Sequence, residues 1–123
     1  MLLDLTYRYS TNCRLSWDVL RNQGKHAYQK GQSAEAEFSL QKALGAAEEF
    51  GEKDMRLVMS LADLAGYYVL TGQYVLAEPL LGRALIIGEA VLSRADWRAL
   101  KRKKEALKVV MQTGRLPSLI KWL

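Results

Sequence analysis

Apolar residues recur along most of the chain at spacings of three and four residues, which place them on one face of an α-helix. In the segment from 33 to 50 these positions are Ala36, Leu40, Ala43, Leu44 and Ala47. The pattern predicts an all-α fold, with helices at about 13–30, 33–50, 54–71, 74–92, 95–113 and 116–122. Pro79 falls inside the fourth of these. Because proline has no N–H to donate, we expect this helix to begin late or to bend near Pro79.

The chain contains a repeat with a period of 41 residues. A shift by this length aligns nine identical residues between 20–48 and 61–89, most of them in the pattern G-Q-x3-A-E-x2-L-x2-A-L-x3-E, which begins at Gly31 and again at Gly72. Thr113-Gly114 marks a weaker third copy. Each unit is interpreted as two helices joined at the glycine, which adopts a left-handed turn without a Cβ penalty. A fixed period of this size is typical of stacked repeat architectures.

The repeated pattern resembles the tetratricopeptide repeat, whose signature is W-x2-L-G-x2-Y, then A-x3-F, then P. The second unit matches it at Leu61, Leu64, Ala65, Tyr68, Ala77, Leu81 and Ala84, with Glu89 in place of the final proline. The period exceeds the usual ~34 residues and is similar to that of the kinesin-light-chain-like variant. The resemblance implies a single domain, 1–123, that forms a helix-turn-helix repeat solenoid. Its repeats span about 14–54, 55–94 and 95–123, and the last lacks most of its second helix.

The resemblance also implies a concave groove, lined by the first helix of each unit, that receives a peptide. The residues expected to face it are Arg21, Asn22, Lys25, Tyr28, Met59, Asp63, Val69, Lys101, Lys104 and Lys108. Helical spacing supports two basic walls, since Arg21 shares a face with Lys25, and Lys101 with Lys108. Such walls around an apolar middle fit an acidic peptide with an apolar anchor. The alternative is that these side chains form only a solvated helix face.

Positive charge is concentrated near the C-terminus. Residues 90–123 hold nine basic and two acidic residues, a net charge of +7, whereas residues 1–89 carry −2. The densest part, 94–108, is interpreted as a solubilising terminal helix. The alternatives are a nucleic-acid-binding accessory role, nuclear import or contact with anionic membranes. Nucleic acid is the less favoured partner, because no set of base-stacking aromatic residues accompanies the charges.

The sequence shows no paired titratable groups and no activated nucleophile of the kind that catalysis requires. His26 is the only histidine and Cys13 the only cysteine, and neither has a chemical partner nearby in the sequence. We therefore predict a non-catalytic protein that needs no cofactor and no metal. No apolar run approaches the ~20 residues that span a bilayer, and no secretory signal is recognisable. These observations predict a cytoplasmic chain without a membrane span.

Both termini carry apolar side chains. At the C-terminal end these are Leu116, Leu119, Ile120 and Trp122, and the N-terminal segment 2–9 is similarly apolar. Because exposed apolar patches often mark association surfaces, we predict a homo-oligomer, or docking onto a larger assembly, through one or both of these ends. The alternative is that each terminal segment folds back as a cap.

Overall fold

The computed structural model describes the backbone of residues 13–123, and the side chains from residue 17 onward. Over this range the chain forms five α-helices and no β-strand, which confirms the predicted all-α fold. The helices are α1 (Cys13–Gln29), α2 (Ser33–Glu48), α3 (Met55–Leu70), α4 (Tyr74–Val91) and α5 (Arg94–Thr113). The predicted apolar N-terminal segment, residues 2–9, lies outside the described part of the chain, as does the side chain of Cys13.

Consecutive helices pack against one another. The most extensive contacts join α1 to α2 and α3 to α4, and each of these pairs is connected by only three residues, 30–32 and 71–73. Such short connections make the helices of a pair antiparallel. Further contacts join α2 to α3, α4 to α5 and α1 to α3. The two helix pairs and α5 are therefore stacked in chain order.

The turns at Gly31 and Gly72 repeat one backbone geometry. Both glycines have φ +78°, in the left-handed region that the sequence predicts for them. In each turn the next residue donates its N–H to a carbonyl five positions earlier. These bonds are Gln32 N–H to Ala27 O, 2.9 Å, and Gln73 N–H to Tyr68 O, 2.7 Å. Gly114, with φ +73°, ends α5 in the same region. The sequence period therefore corresponds to a structural period.

The core is centred on α3. Eleven of its 16 residues are buried, whereas α2 and α4 bury four residues each. The buried residues of α2 and α4 include the identical positions of the repeat, namely Ala36, Leu40 and Ala43 in α2 and Ala77, Leu81 and Ala84 in α4. Alanine at these positions lets neighbouring helix axes approach closely, and the leucine between them fills the interior. These repeated alanines and leucines are therefore packing residues.

The predicted late start of α4 is wrong. The helix begins at Tyr74, five residues before Pro79. Pro79 removes a hydrogen bond to the carbonyl of Val75, but both residues are exposed, and the Val75 residue is 77% exposed. Water can therefore reach the freed carbonyl, which reduces the cost of proline at this position.

The predicted sixth helix is also wrong. Residues 115–123 form no helix and contain a single turn, at 118–119. A helix of about seven residues is too short to be stable by itself, and Pro117 disfavours helical geometry at the residue before it. The left-handed Gly114 directs this segment away from the axis of α5.

We expect Gly31→Ala and Gly72→Ala each to lower the free energy of unfolding by about 1 kcal/mol, because alanine is strained at φ +78°. Gly82→Ala is the matched control, because Gly82 lies inside helix α4 and a Cβ at this position meets no atom within 4 Å. It should raise the free energy of unfolding by about 0.5–1 kcal/mol. Urea unfolding followed by circular dichroism measures all three. If Gly31→Ala and Gly72→Ala changed the free energy of unfolding in the same way as Gly82→Ala, the left-handed geometry of the two turns would be contradicted.

Candidate functional site

A cleft of about 360 Å³ opens between α3 and α5. Its lining residues are Met55, Val58, Met59 and Ala62 from α3, Leu92 from the connection, and Asp96, Ala99, Leu100 and Lys103 from α5. Only Asp96 and Lys103 among them are charged. A mostly apolar lining with a few polar groups is the composition that ligand sites usually have. The two charges lie seven residues apart on α5 and therefore on one face of it, where they distinguish the two ends of the cleft.

Lys103 interrupts the apolar face of α5. Its neighbours on that face, Leu100 and Leu107, are 5% and 1% exposed. Burial lowers the pKa of Lys103 below its ordinary value; Lys25 and Arg21 lower it further, and Asp63 partly opposes them. Among residues 17–123, no carboxylate lies within ion-pair distance of its amino group. A partly buried ammonium without an ion-pair partner costs stability, and an anionic ligand would offset this cost.

Asp63 lies at the centre of a cluster of bases. The residue is 7% exposed, and its carboxylate forms ion pairs with two residues of α1. Arg21 donates from Nε to Oδ2, and its Nη2 lies 3.5 Å from Oδ1. Lys25 Nζ lies 3.8 Å from Oδ1. With Lys103 included, three positive charges surround one negative charge. The surface shared by α1, α3 and α5 therefore attracts anionic groups.

Two contacts fix α1 against α3 and so hold this cluster in place. Trp17 Nε1 donates to Ser60 Oγ at 2.6 Å, and both residues are buried. At the other end of α1, the Tyr28 ring meets the Tyr67 ring edge to face, with 6.2 Å between ring centres. The predicted groove residue Tyr28 is therefore partly buried in the contact between the helices.

The C-terminal segment 116–123 folds back onto α3. Trp122 is 4% exposed, and a Cβ placed on Gly66 would stand 2.0 Å from the Trp122 carbonyl oxygen. Ile120 and Leu123 pack against the core. Trp122 Nε1 is buried and has no hydrogen-bond partner among the described residues, and Leu119 is 97% exposed. This segment therefore covers the face of α3 around Gly66 by apolar contact.

The structure brings together some of the predicted groove residues of α1 and α3. Arg21 and Lys25 converge on Asp63, and Met59 lines the cleft. Asn22 is exposed on α1. Val69 is 1% exposed, so its side chain belongs to the core and offers no surface to a ligand.

The predicted groove residues of α5 lie elsewhere on that helix. Lys101 lines a shallow depression with Arg98, Arg102 and Glu105, and its Nζ lies 5.4 Å from the centre of the Trp97 ring. Lys104 and Lys108 also do not line the cleft. Lys103 was missed by the sequence reasoning. The signal that identifies it is its position within the apolar stripe that includes Leu100, Leu107 and Val110.

The predicted interface residues of the C-terminal segment fall into two groups. Trp122 is buried and Ile120 partly buried against the chain itself, as the fold-back alternative describes. Leu116 and Leu119 are 39% and 97% exposed. Association through these two leucines stays a prediction.

No protein-family model, curated protein or solved structure matches this chain. None of the described helices has the length and apolar character to cross a membrane. Within the described residues, no three His, Cys, Asp or Glu side chains are grouped where they could hold a metal ion.

We expect Asp63→Asn to lower the free energy of unfolding by about 1–3 kcal/mol, since it leaves Arg21, Lys25 and Lys103 without their shared negative charge. The comparison variant is Glu48→Gln, which breaks an exposed ion pair with Arg83 at 2.7 Å and should cost only about 0–1 kcal/mol. Urea unfolding measures both. Equal losses of unfolding free energy in the two variants would contradict the central position of Asp63 in this cluster of bases.

We expect Lys103→Met to raise the melting temperature at pH 7, because it removes a charge that burial disfavours. With a lowered pKa, folded Lys103 binds fewer protons than unfolded Lys103 between that pKa and 10.5. The stability of the unmodified chain therefore rises with pH across this window, and the advantage of Lys103→Met shrinks. Melting curves at pH 7 and near pH 10 test this. Lys108→Met, on an exposed residue of the same helix, should have little effect at either pH.

Proposed function

We propose that this chain is a tetratricopeptide-type solenoid, a non-catalytic protein-interaction module that binds an acidic peptide segment with an apolar anchor. The ligand would lie on the concave surface formed by α1, α3 and α5. The observation that carries the proposal is Lys103, a base without an ion-pair partner within the described residues, inside an otherwise largely apolar cleft. An anionic group beside an apolar one complements this combination.

Support for the solenoid comes from the repeated turn geometry and the order of packing. The glycine turns at Gly31 and Gly72 have the same φ and equivalent hydrogen bonds, and the helix pairs stack in chain order. A repeat array of this kind places its first helices side by side, which creates an extended binding surface. The contact between α1 and α3 and the cleft between α3 and α5 agree with this arrangement.

The apolar anchor would supply most of the affinity. Burial of one Leu, Phe or Met side chain contributes about 1.5–3 kcal/mol. Met55 and Met59 are flexible enough to adapt their shape to such a side chain. The charges of Lys103, Arg21 and Lys25 would raise the association rate and orient the ligand. Asp96 at the other end of the cleft disfavours the opposite orientation, because it would repel the acidic part.

A nucleic-acid-binding accessory function is the second candidate. It is favoured by the basic residues on the exposed side of α5, where Arg98, Lys101 and Arg102 surround one shallow depression. The aromatic residue nearest to them, Trp97, donates its Nε1 to Leu85 O at 3.1 Å and is partly covered by Lys101, so it presents no open stacking face. The cleft therefore supports the peptide better than this face supports nucleic acid.

Selection of displayed random peptides against the full chain tests the proposal. We expect the selected peptides to be acidic and to contain a large apolar residue. Lys103→Glu should weaken their binding by at least about tenfold, since like charges repel inside the cleft. The matched control is Arg102→Glu, an equal charge change on the adjacent residue, which faces away from the cleft. Fluorescence anisotropy with labelled selected peptides measures both affinities.

Two results would contradict the peptide proposal. One is equal binding of the selected peptides to the Lys103→Glu and unmodified chains. The other is salt-dependent binding of a short DNA or RNA that Arg102→Glu weakens and Lys103→Glu leaves unchanged. The second result would favour the nucleic-acid candidate.

A further inference from the structure

We propose that the face of α3 around Gly66 is a second part of the ligand site, which takes an extended segment with a large apolar side chain. Residues 116–123 of the chain occupy this face as an internal competitor, and a partner segment of that chemistry binds by displacing them. The inference rests on the proposed function. It adds that the ligand carries an extended segment with a further apolar side chain for the Gly66 face, and it states what controls access to that face.

The Gly66 face continues the cleft. Met55, Met59, Ala62 and Gly66 follow at spacings of four, three and four residues, so they form one stripe along α3. The first three line the open cleft, and Trp122 lies across the fourth. The stripe is about 16 Å long at 1.5 Å per residue. An extended segment of about five residues spans that length.

Gly66 makes room for an extended main chain. The Trp122 carbonyl oxygen occupies the space that a Cβ on residue 66 would need, at 2.0 Å from it. Any other residue at this position would push the C-terminal segment away. Glycine in a helix interior is unfavourable relative to alanine, so its presence here is explained by the close approach of another backbone.

The C-terminal segment is held in a way that permits its release. Apolar contacts of Ile120, Trp122 and Leu123 cover α3, but no hydrogen bond or ion pair joins residues 116–123 to the described helices. Trp122 Nε1 is buried, and no residue in the described part of the chain accepts a hydrogen bond from it. Displacement lets this N–H bond to water, while the partner's apolar side chain replaces the lost contact on α3.

The tether gives the internal segment its advantage over a partner. A short connection to α5 holds it near its site at an effective concentration on the order of millimolar. A partner segment competes with the tethered segment at that effective concentration. Its apparent affinity for the unmodified chain is therefore lower, by a constant factor, than its affinity for the uncovered face. Removal of the apolar side chains of the internal segment should restore the full affinity.

The full chain with Ile120→Ser and Trp122→Ser tests the competition. The probe is a fluorescently labelled LPSLIKWL peptide added in trans. We expect it to bind this double variant at least about tenfold more tightly than the unmodified chain. Addition of Gly66→Ala to the double variant should abolish binding, whereas addition of Gly82→Ala should leave it unchanged, since that Cβ meets nothing. Circular dichroism confirms that all of these chains are folded.

Equal binding of the probe to the unmodified chain and the double variant would overturn the inference. So would binding that survives Gly66→Ala, because the segment would then lie elsewhere.

An acidic peptide obtained by selection separates this inference from the proposed function. We expect it, too, to bind the double variant about tenfold more tightly. If it depends on Lys103 but binds both chains equally, the competition is overturned and the proposed function stands. If selection yields no acidic peptide that binds either chain, the proposed function fails and the competition fails with it.

Discussion

Enclosure of α3 determines how the neighbouring helices are arranged. Eleven of its 16 residues are buried, including the polar Ser60 and Asp63, and each of these two needs a partner from α1. The contacts with Trp17 and Arg21 supply these partners and fix α1 against α3. The remaining side of α3 carries Met59 and Gly66. Met59 lines the cleft at one end of this side, and the C-terminal segment covers Gly66 at the other end.

Two residues beside this side of α3 make unfavourable contributions to the free energy of folding. Within the described residues, Lys103 is partly buried without an ion-pair partner, and Trp122 has a buried N–H without an acceptor. Buried polar groups in folded proteins usually have partners, so unpaired ones call for an explanation. Both would lose part of their cost when an acidic, apolar segment binds, because Lys103 gains an anion and Trp122 is released to water. The proposed ligand explains them together.

Local sequence was sufficient to predict the five helices that form and the turns at Gly31 and Gly72, because these depend on residues a few positions apart. It was not sufficient for Lys103, whose role depends on how α5 is rotated by packing of Leu100 and Leu107. Helical spacing alone grouped Lys101 with Lys104 and Lys108, on a face that does not line the cleft. The path of the C-terminal segment also depends on a distant contact, between Trp122 and Gly66.

The indole N–H of Trp122 reports directly on whether a peptide binds to the face of α3 around Gly66. Its nuclear magnetic resonance signal can be followed in the ¹⁵N-labelled full chain during titration with a selected acidic peptide. Trp17 and Trp97 serve as internal references, since their N–H groups are bonded to Ser60 and to the Leu85 carbonyl. We expect the Trp122 signal to move to the position of an exposed, water-bonded indole, whereas Trp17 and Trp97 keep their hydrogen bonds and do not move to that position. Saturable peptide binding with an unchanged Trp122 signal would contradict this expectation.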